Sequence, residues 1–417
     1  MQNLYNLAEK IPNNNKNEQD DLQNQVVNVQ VDKQNKNEQY LKQNYNNENT
    51  QQNLVENYRN LIDQRKKKYL LNLKCQTIFN FKEQIAGLLQ LEKSIIAVLE
   101  NDSDTIHILN AIPQNKQQQN QQQNQIMGDD IYQKQLKSQN SMFQIIKIKN
   151  QFFDYPLIAG ASYKNIEIFD WKKGVTLSII QPQQKIIQYI EEIQNSYIAS
   201  GGSDLSIKVI EFKKIKCWNN NDEQVLNNNY DIKQKNQFNL FLYKTLNEHK
   251  HGVNMIKKIN KKLFLTDDGP RPFHNRLLLW NTKKLQILRI FLHPSRVSAL
   301  MGCKNKDYYL MSYNDNIRYI SLSKNVIIKK LDVDIVYQMT QTDNFEQFIV
   351  VGGGAIFQPF KGSMIIIDQQ NGEILKRYDK ELEGICNKIV QIGENMFVTA
   401  NLQEQNSFNI KLWSPYF

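Results

Sequence analysis

The sequence predicts an all-β protein built from repeated strand units. A strand–turn–strand pattern occurs three times, as IFDWKKGVTL at 168–177, LLWNTKKLQI at 278–287 and IIDQQNGEIL at 366–375. Short apolar runs separated by polar turns extend from residue 73 to the C-terminus. Repeats of this size cannot bury their apolar faces alone, so neighbouring copies must pack against one another.

The strand runs group into seven units, and Val253, Val297 and Val336 near the starts of three of them are spaced as in propeller repeats of about 40–45 residues. The units cover residues 85–110, 142–180, 186–246, 253–291, 296–332, 335–379 and 385–414. The last unit has only three strands, whereas LKCQTIFNF at 73–81 belongs to no complete unit. We expect residues 73–81 to supply the missing outer strand, because joining the two ends removes an open sheet edge. The predicted fold is a seven-bladed β-propeller closed by an N-terminal strand, over residues 73–417.

The residues before this array differ in composition. Residues 1–52 are rich in Asn and Gln and poor in large apolar side chains, which predicts a disordered tail of low complexity. Residues 53–72 predict a short amphipathic helix, because their apolar residues fall on one face: Leu54, Tyr58, Leu61, Ile62, Tyr69 and Leu70. Three roles stay open for this helix: packing on the propeller, docking a partner or forming a coiled coil. Its basic run at 65–68 gives only weak support to nuclear import.

The chain is basic, with 52 Lys and Arg against 42 Asp and Glu and a net charge of +10. Residues 1–50 hold five Lys and seven acidic residues, so the positive excess lies beyond them. Such a charge is typical of a solvated basic surface. It also fits a face that meets an acidic partner, for example a nucleic acid, a tubulin tail or a phospholipid.

The sequence offers no sign of an extracellular or membrane protein. The cysteines are far apart and form no CxxC pair, which argues against a disulfide framework or a zinc site: Cys75, Cys217, Cys303 and Cys386. No run of 18 apolar residues occurs, and the N-terminus lacks the basic start and apolar core of a secretory signal. We expect an intracellular protein, cytoplasmic in the first place, with cytoskeletal, ciliary and nuclear sites left open.

Three local motifs recur in the units. LNEHKHGVNMI opens a unit with His249 followed by Val253. ASGGSDLSIKVIEF has Asp204 at the turn between two strands. A tryptophan ends the third strand of two units, at Trp280 and Trp413. These motifs resemble those of the WD-repeat β-propellers, and the resemblance covers residues 73–417.

The resemblance implies a hydrogen-bond relay inside each blade. In this family a histidine reaches a Ser or Thr of the second strand, which reaches the turn aspartate, and the tryptophan indole N–H completes the network. The resemblance assigns His249, Asp204, Trp280 and Trp413 to this relay. No unit carries the full set, because Ile210 stands where the third unit would have tryptophan and an insertion at 268–275 interrupts the fourth. Buried polar groups paired in this way rigidify a blade.

Binding is expected at the loops. Insertions interrupt the period at 111–130, 213–237 and 268–275. Loops held by a rigid scaffold often carry binding residues, and a propeller collects them around its central channel. The candidate surface residues are His249, Lys250, His251, Gly252, Arg271, Phe273, His274, Pro294, Arg296 and Phe357.

No catalytic constellation stands out in the sequence. His251 and His274 have neither a paired cysteine nor HxxxH spacing, which argues against a metal site, and His107 fits a packed strand residue. VVGGGAIFQPFKGS at 350–363 lacks the Gly-Lys-Ser/Thr ending of a phosphate loop. The adjacent Asp267 and Asp268 have no second acid at catalytic spacing. We therefore predict no enzyme activity, no metal and no cofactor.

The predicted function is non-catalytic protein–protein binding, as a scaffold subunit or adaptor of a larger complex. The resemblance suggests several settings for such a scaffold, including ubiquitin-ligase substrate receptors, ciliary or cytoskeletal complexes and RNA-processing particles. The alternative is a nucleic-acid or RNP-associated propeller, which a contiguous face of Lys and Arg would favour. A phosphoinositide-binding propeller ranks third, because the FRRG motif of that group is absent. An enzyme ranks last.

Overall fold

The chain divides into two units, Met1–Lys68 and Tyr69–Phe417, and the computed structural model describes residues of the second. The described residues are Tyr69, 72–112, 132–215, 237–268, 275–293, 297–303, 307–312, 316–324, 326–333, 336–341, 348–354, 362–368, 372–378, 384–393, 395–402 and 407–415. The predicted tail at 1–52 lies outside them. So does the predicted helix at 53–72, apart from Tyr69 and Asn72.

The described strands form seven groups of four, which we call blades one to seven, with strands a to d from the channel outwards. Blade one contains β2 (Ile85–Glu92), β3 (Ile95–Glu100), β4 (Ser103–Asn110) and the first part of β5 (Tyr132–Ile148). Blade two contains the last part of β5, then β6 (Leu157–Ser162), β7 (Ile166–Asp170) and β8 (Val175–Ile180). Blade three contains β9 (Ile187–Gln194), β10 (Tyr197–Gly202), β11 (Ile207–Ile215) and β12 (Gln237–Leu246).

The remaining blades follow the same antiparallel order. Blade four contains β13 (Met255–Lys258), β14 (Leu263–Asp267), β15 (Asn275–Asn281) and β16 (Gln286–His293). Blade five contains β17 (Ala299–Gly302), β18 (Tyr308–Ser312), β19 (Asn316–Ser321) and β20 (Ile327–Asp332). Blade six contains β21 (Val336–Gln341), β22 (Phe348–Gly354), β23 (Gly362–Asp368) and β24 (Ile374–Tyr378). Blade seven contains β25 (Ile385–Gly393), β26 (Met396–Leu402), β27 (Phe408–Ser414) and, as its d strand, β1 (Lys74–Phe81).

The a strands form a closed ring. β2 lies beside β5, β5 beside β9, and the order continues through β13, β17, β21 and β25, which lies beside β2 again. The predicted seven-bladed propeller is therefore confirmed. The ring encloses a channel, and every blade contributes its a strand to the wall.

The closing strand was predicted from its position in the sequence, and the structure confirms it. β1 pairs antiparallel with β27, from Lys74 opposite Ser414 to Phe81 opposite Phe408. The backbone N–H of Leu73 donates to the hydroxyl of Tyr378 in blade six at 3.0 Å. The start and the end of the array thus share one blade, so the ring has no interrupted sheet at its junction.

Blades one and two share a single strand. In β5, Tyr132–Lys137 pair with β4, whereas Met142–Ile148 pair with β6. The carboxylate of Glu167 on β7, which is buried, accepts from the hydroxyl of Ser138 at 2.7 Å and from the backbone N–H of Gln139 at 3.3 Å. These bonds hold β5 where it passes from one blade to the next. The sequence reading left blade one without a fourth strand, because the residues that form it are polar.

Apolar side chains pack between neighbouring blades and hold them together. One such cluster joins Leu277, Leu279 and Phe291 of blade four to Tyr309 and Ile320 of blade five. The middle strands lie inside these layers, and every residue of β6, β7 and β27 is buried. Because both faces of these strands are covered, their sequences are apolar runs rather than alternating patterns.

The three repeated hairpins contain the same turn between strands c and d. The last residue of each c strand accepts a backbone bond from the N–H four residues later, at 2.8, 2.9 and 2.7 Å, and these acceptors are Asp170, Asn281 and Asp368. The donor residue has a positive φ in each case, with Gly174 at 78°, Leu285 at 51° and Gly372 at 63°. Glycine adopts this region without steric cost, whereas Leu285 is strained there and its burial offsets that strain.

The closing strand should be essential for stability. We expect a chain that begins at residue 69 to unfold in one cooperative thermal transition, followed by circular dichroism. A chain that begins at residue 83 lacks β1 and leaves β27 as an exposed edge, so it should unfold at a much lower temperature and aggregate. If both chains unfold at the same temperature, the pairing of β1 with β27 does not stabilise the ring.

Candidate functional site

A buried polar cluster lies inside blade four. Thr266 on β14 is fully buried, and its Oγ1 accepts from the indole Nε1 of Trp280 on β15 at 2.8 Å. The Nε2 of His249, in the loop before β13, lies 2.9 Å from the same Oγ1. The imidazole and indole rings stack with their centroids 5.9 Å apart. The threonine hydroxyl thus connects the loop before the blade to its two middle strands.

Burial sets the charge of this histidine. Burial lowers the pKa of His249 to about 4; the carboxylate of Asp268 acts against this shift, and the guanidinium of Arg276 adds to it. The imidazole is therefore neutral at pH 7. A neutral ring fits the apolar stacking against Trp280 better than a cation that burial deprives of water.

Blade seven repeats part of this cluster. The indole Nε1 of Trp413 donates to the Oγ1 of Thr399 at 2.9 Å, with the same separation of 14 residues as between Thr266 and Trp280. The amide Nδ2 of Asn401 donates to the same Oγ1 at 3.1 Å. An asparagine within blade seven therefore provides the second polar contact to this hydroxyl.

Blade three builds its network around Gln184, which precedes β9. The hydroxyl of Ser200 donates to the Oε1 of Gln184. The Nε2 of Gln184 donates to the carbonyl oxygens of Ser200 at 3.2 Å and Ser206 at 3.1 Å. Asp204 accepts from the hydroxyl of Ser206 at 2.7 Å, and Ile210 is buried. A glutamine thus connects the loop before blade three to its b strand, as His249 does in blade four, and the sequence reading missed it.

The loop before β13 is held by a buried carboxylate. The Oδ1 of Asp268 accepts from the backbone N–H of Lys250 at 2.9 Å and of His251 at 2.7 Å. Its Oδ2 lies 3.4 Å from the Nη1 of Arg276. The side chain of Lys250 is exposed. We call residues 249–252 the anchored loop, because both ends of its backbone contacts lead into the interior of blade four.

The structure places only part of the predicted binding surface. His249, Lys250, His251 and Gly252 lie together in the anchored loop. The other candidates lie outside the described residues: Arg271, Phe273, His274, Pro294, Arg296 and Phe357. Their proximity to the anchored loop therefore stays a prediction.

The remaining titratable side chains form no metal site in the described part of the chain. His107 lies 3.3 Å from Glu100 through its Nε2, and its ring packs edge-on against Phe81 with centroids 5.7 Å apart. No group of three or more His, Cys, Asp or Glu residues converges within the described ranges. Among those residues, no helix has the length and apolar character needed to cross a membrane.

The central channel contains a cavity of about 490 Å³. Its wall is formed by all seven a strands or the residues just before them. Polar side chains in this wall join neighbouring blades: Gln144 exchanges two hydrogen bonds with the backbone of Ile190, at 3.0 and 2.8 Å. Asn387 donates to the carbonyl of Ile85 at 3.1 Å, which links blade seven to blade one. These bonds fasten the a strands to one another without a continuous sheet.

Charged side chains also line this cavity. The Nζ of Lys257 lies 3.2 Å from the Oε1 of Glu191, and this carboxylate raises the pKa of Lys257. Burial lowers the pKa of Lys388, and the charge of Lys257 lowers it further. Burial raises the pKa of Glu192 to about 7, against the backbone bond from Lys149. The channel is thus a charged environment with reduced access to water.

Comparisons with known proteins establish the fold. No protein-family model matches the chain, and no curated protein matches it significantly. A chain of the solved structure titled "Crystal Structure of Mitotic Checkpoint Complex" has a similar fold, with a TM-score of 0.53 and 11% sequence identity. The match covers 82% of this chain and 95% of that chain. At this level of identity the likeness shows a β-propeller and assigns no activity or partner.

The hydroxyl of Thr266 should stabilise blade four. We expect Thr266→Val to lower the free energy of unfolding by about 1–3 kcal/mol, because the indole N–H of Trp280 loses its buried acceptor. In a chain that already carries Trp280→Phe, the same replacement should cost less. Urea denaturation of the four chains measures this difference. An equal cost in both backgrounds would show that the Thr266–Trp280 bond contributes nothing.

The buried histidine should make stability depend on pH. The folded-state pKa of His249 is about 4, against 6.5 for an unperturbed histidine. Its contribution is fully present above pH 6.5 and falls as the pH is lowered towards 4, because the unfolded chain takes up the proton first. We expect a loss on the order of 3 kcal/mol relative to His249→Gln, which cannot titrate. Denaturation midpoints of both chains between pH 7.5 and 4.5 test this, and a constant difference would contradict it.

Proposed function

We propose that this chain is a non-catalytic protein-interaction scaffold of the WD-repeat kind, a subunit or adaptor of a larger complex. The observation that carries the proposal is the anchored loop. Asp268 holds the backbone of Lys250 and His251 from inside blade four, while the side chain of Lys250 stays exposed. Such a loop presents a cation to a partner on a fixed backbone.

The rigidity of this loop favours binding. A flexible loop loses conformational freedom when a partner immobilises it, and that loss weakens the complex. The backbone of the anchored loop is already fixed by the bonds to Asp268. The stacked His249 and Trp280 rings hold its first residue against the blade. The exposed cation favours an acidic segment of a partner protein, with electrostatic attraction that decreases as salt is added.

The distribution of charge supports a protein partner over a nucleic acid. Nucleic-acid binding requires a contiguous basic face, because affinity depends on several phosphate contacts. Exposed lysines occur in all seven blades: Lys74, Lys93, Lys137, Lys164, Lys172, Lys173, Lys213, Lys214, Lys244, Lys261, Lys262, Lys283, Lys284, Lys324, Lys330 and Lys376. This spread around the ring favours the scaffold hypothesis. The structural neighbour is titled as a complex, which supports an assembly role only as part of this proposal.

A pair of charge reversals tests the anchored loop. Lys250→Glu reverses the charge there and keeps the backbone N–H that Asp268 binds. The control, Lys261→Glu, makes the same change in the turn between β13 and β14, on the opposite face of the ring. We expect partners captured by the tagged full-length chain to survive nuclease, to bind Lys250→Glu about tenfold more weakly and to bind Lys261→Glu normally.

Two results would contradict the proposal. Loss of every partner after nuclease treatment would favour the nucleic-acid hypothesis. Equal binding by the two variants would exclude the anchored loop as the contact site. Identical thermal unfolding of both variants and the unmodified chain is the control for folding.

A further inference from the structure

The wall of the channel brings together cations from opposite sides of the ring. Lys257 belongs to blade four and Lys388 to blade seven, and both line the cavity of about 490 Å³. The charge of Lys257 lowers the pKa of Lys388, so the two ammonium groups repel each other inside the channel. Like charges held together with little water are unfavourable unless an anion lies between them.

Only one of these lysines is neutralised by the chain. Glu191 lies 3.2 Å from the Nζ of Lys257, and the same Oε1 accepts from the backbone N–H of Lys258 at 3.2 Å. Among the described residues, no carboxylate lies within ion-pair distance of Lys388. Burial lowers the pKa of this lysine, so the fold destabilises its charged form. Titratable groups shifted by burial and by a specific neighbour, inside a cavity, are typical of functional sites.

The cavity has the size and the polar groups of a small-ligand site. Pockets for small molecules commonly measure about 300–1,000 Å³, and this one is of that size. The side chains of Gln144, Tyr189 and Gln338 lie in the wall near the start of their strands, at the same level of the ring as Lys388. The carboxamides of Gln144 and Gln338 are held in place by the backbones of Ile190 and Ile389, at distances of 2.8 to 3.2 Å. The wall is therefore preorganised around the lysines.

We propose that the channel binds a small organic anion with phosphate or carboxylate groups, held between Lys388 of blade seven and Lys257 of blade four. The anion would neutralise the lysine that has no carboxylate within reach and reduce the repulsion between the two cations. This site is separate from the anchored loop, so it holds or fails independently of the scaffold function.

Calorimetric titration of the full-length chain with pyrophosphate, and separately with citrate, tests the proposal at about 0.15 M ionic strength, where weak surface attraction is screened. We expect one anion per chain to bind saturably. Lys388→Met should weaken binding about tenfold or more, whereas Lys388→Arg should retain it. Lys283→Met, in the exposed turn between β15 and β16, should have no effect. Lys388→Met removes a buried charge, so its thermal unfolding temperature should be unchanged or higher.

The two probes and the variants distinguish the outcomes. Stronger binding of pyrophosphate would identify a phosphate-bearing ligand, and stronger binding of citrate would identify a carboxylate. Absence of saturable binding by either probe would overturn the proposal. Equal weakening by Lys388→Met and Lys283→Met would do the same, because it would indicate attraction to the basic surface as a whole. Saturable binding of a Glu-rich hexapeptide in place of both probes would assign the channel to a protein partner, and the small-anion proposal would be wrong.

Discussion

Closure of the ring is the constraint on which the rest of the structure depends. Each blade buries its apolar faces only against its two neighbours, so an open array would leave two faces and two edges in water. The pairing of β1 with β27 completes blade seven, and the bond from Asn387 to Ile85 joins that blade to blade one. Only a closed ring gives the a strands a common channel, and only a common channel brings Lys257 and Lys388 together.

Much of the fold could be predicted from the sequence, because the strands that decide it are apolar on both faces. The runs that became β7, β15 and β23 were read directly, and the chain-end position of 73–81 indicated the closing strand. The d strand of blade one could not be found in this way. Its residues, QKQLKSQN, are polar because a d strand lies at the exposed rim, where apolar side chains are not required.

The candidate site was less accessible to sequence reasoning, because polar contacts depend on geometry more than on residue type. Gln184 connects its loop to Ser200, yet nothing in QPQQ distinguishes it from its neighbours except a separation of 16 residues from that serine. Asp268 opens a segment that reads as an insertion, and only the structure shows its carboxylate on the backbone of Lys250. The charged channel wall combines residues about 130 positions apart, which no local pattern can reveal.

The shared strand β5 has a consequence for how the ring opens. Elsewhere a loop separates each d strand from the next a strand, so one blade can lose its hydrogen bonds while its neighbour keeps them. Between blades one and two no such joint exists, and Glu167 clamps the crossing at Ser138 and Gln139. Local opening events that release amide protons for solvent exchange must therefore involve both blades at once. This pair forms a double-sized cooperative unit within a ring whose other blades can fluctuate singly.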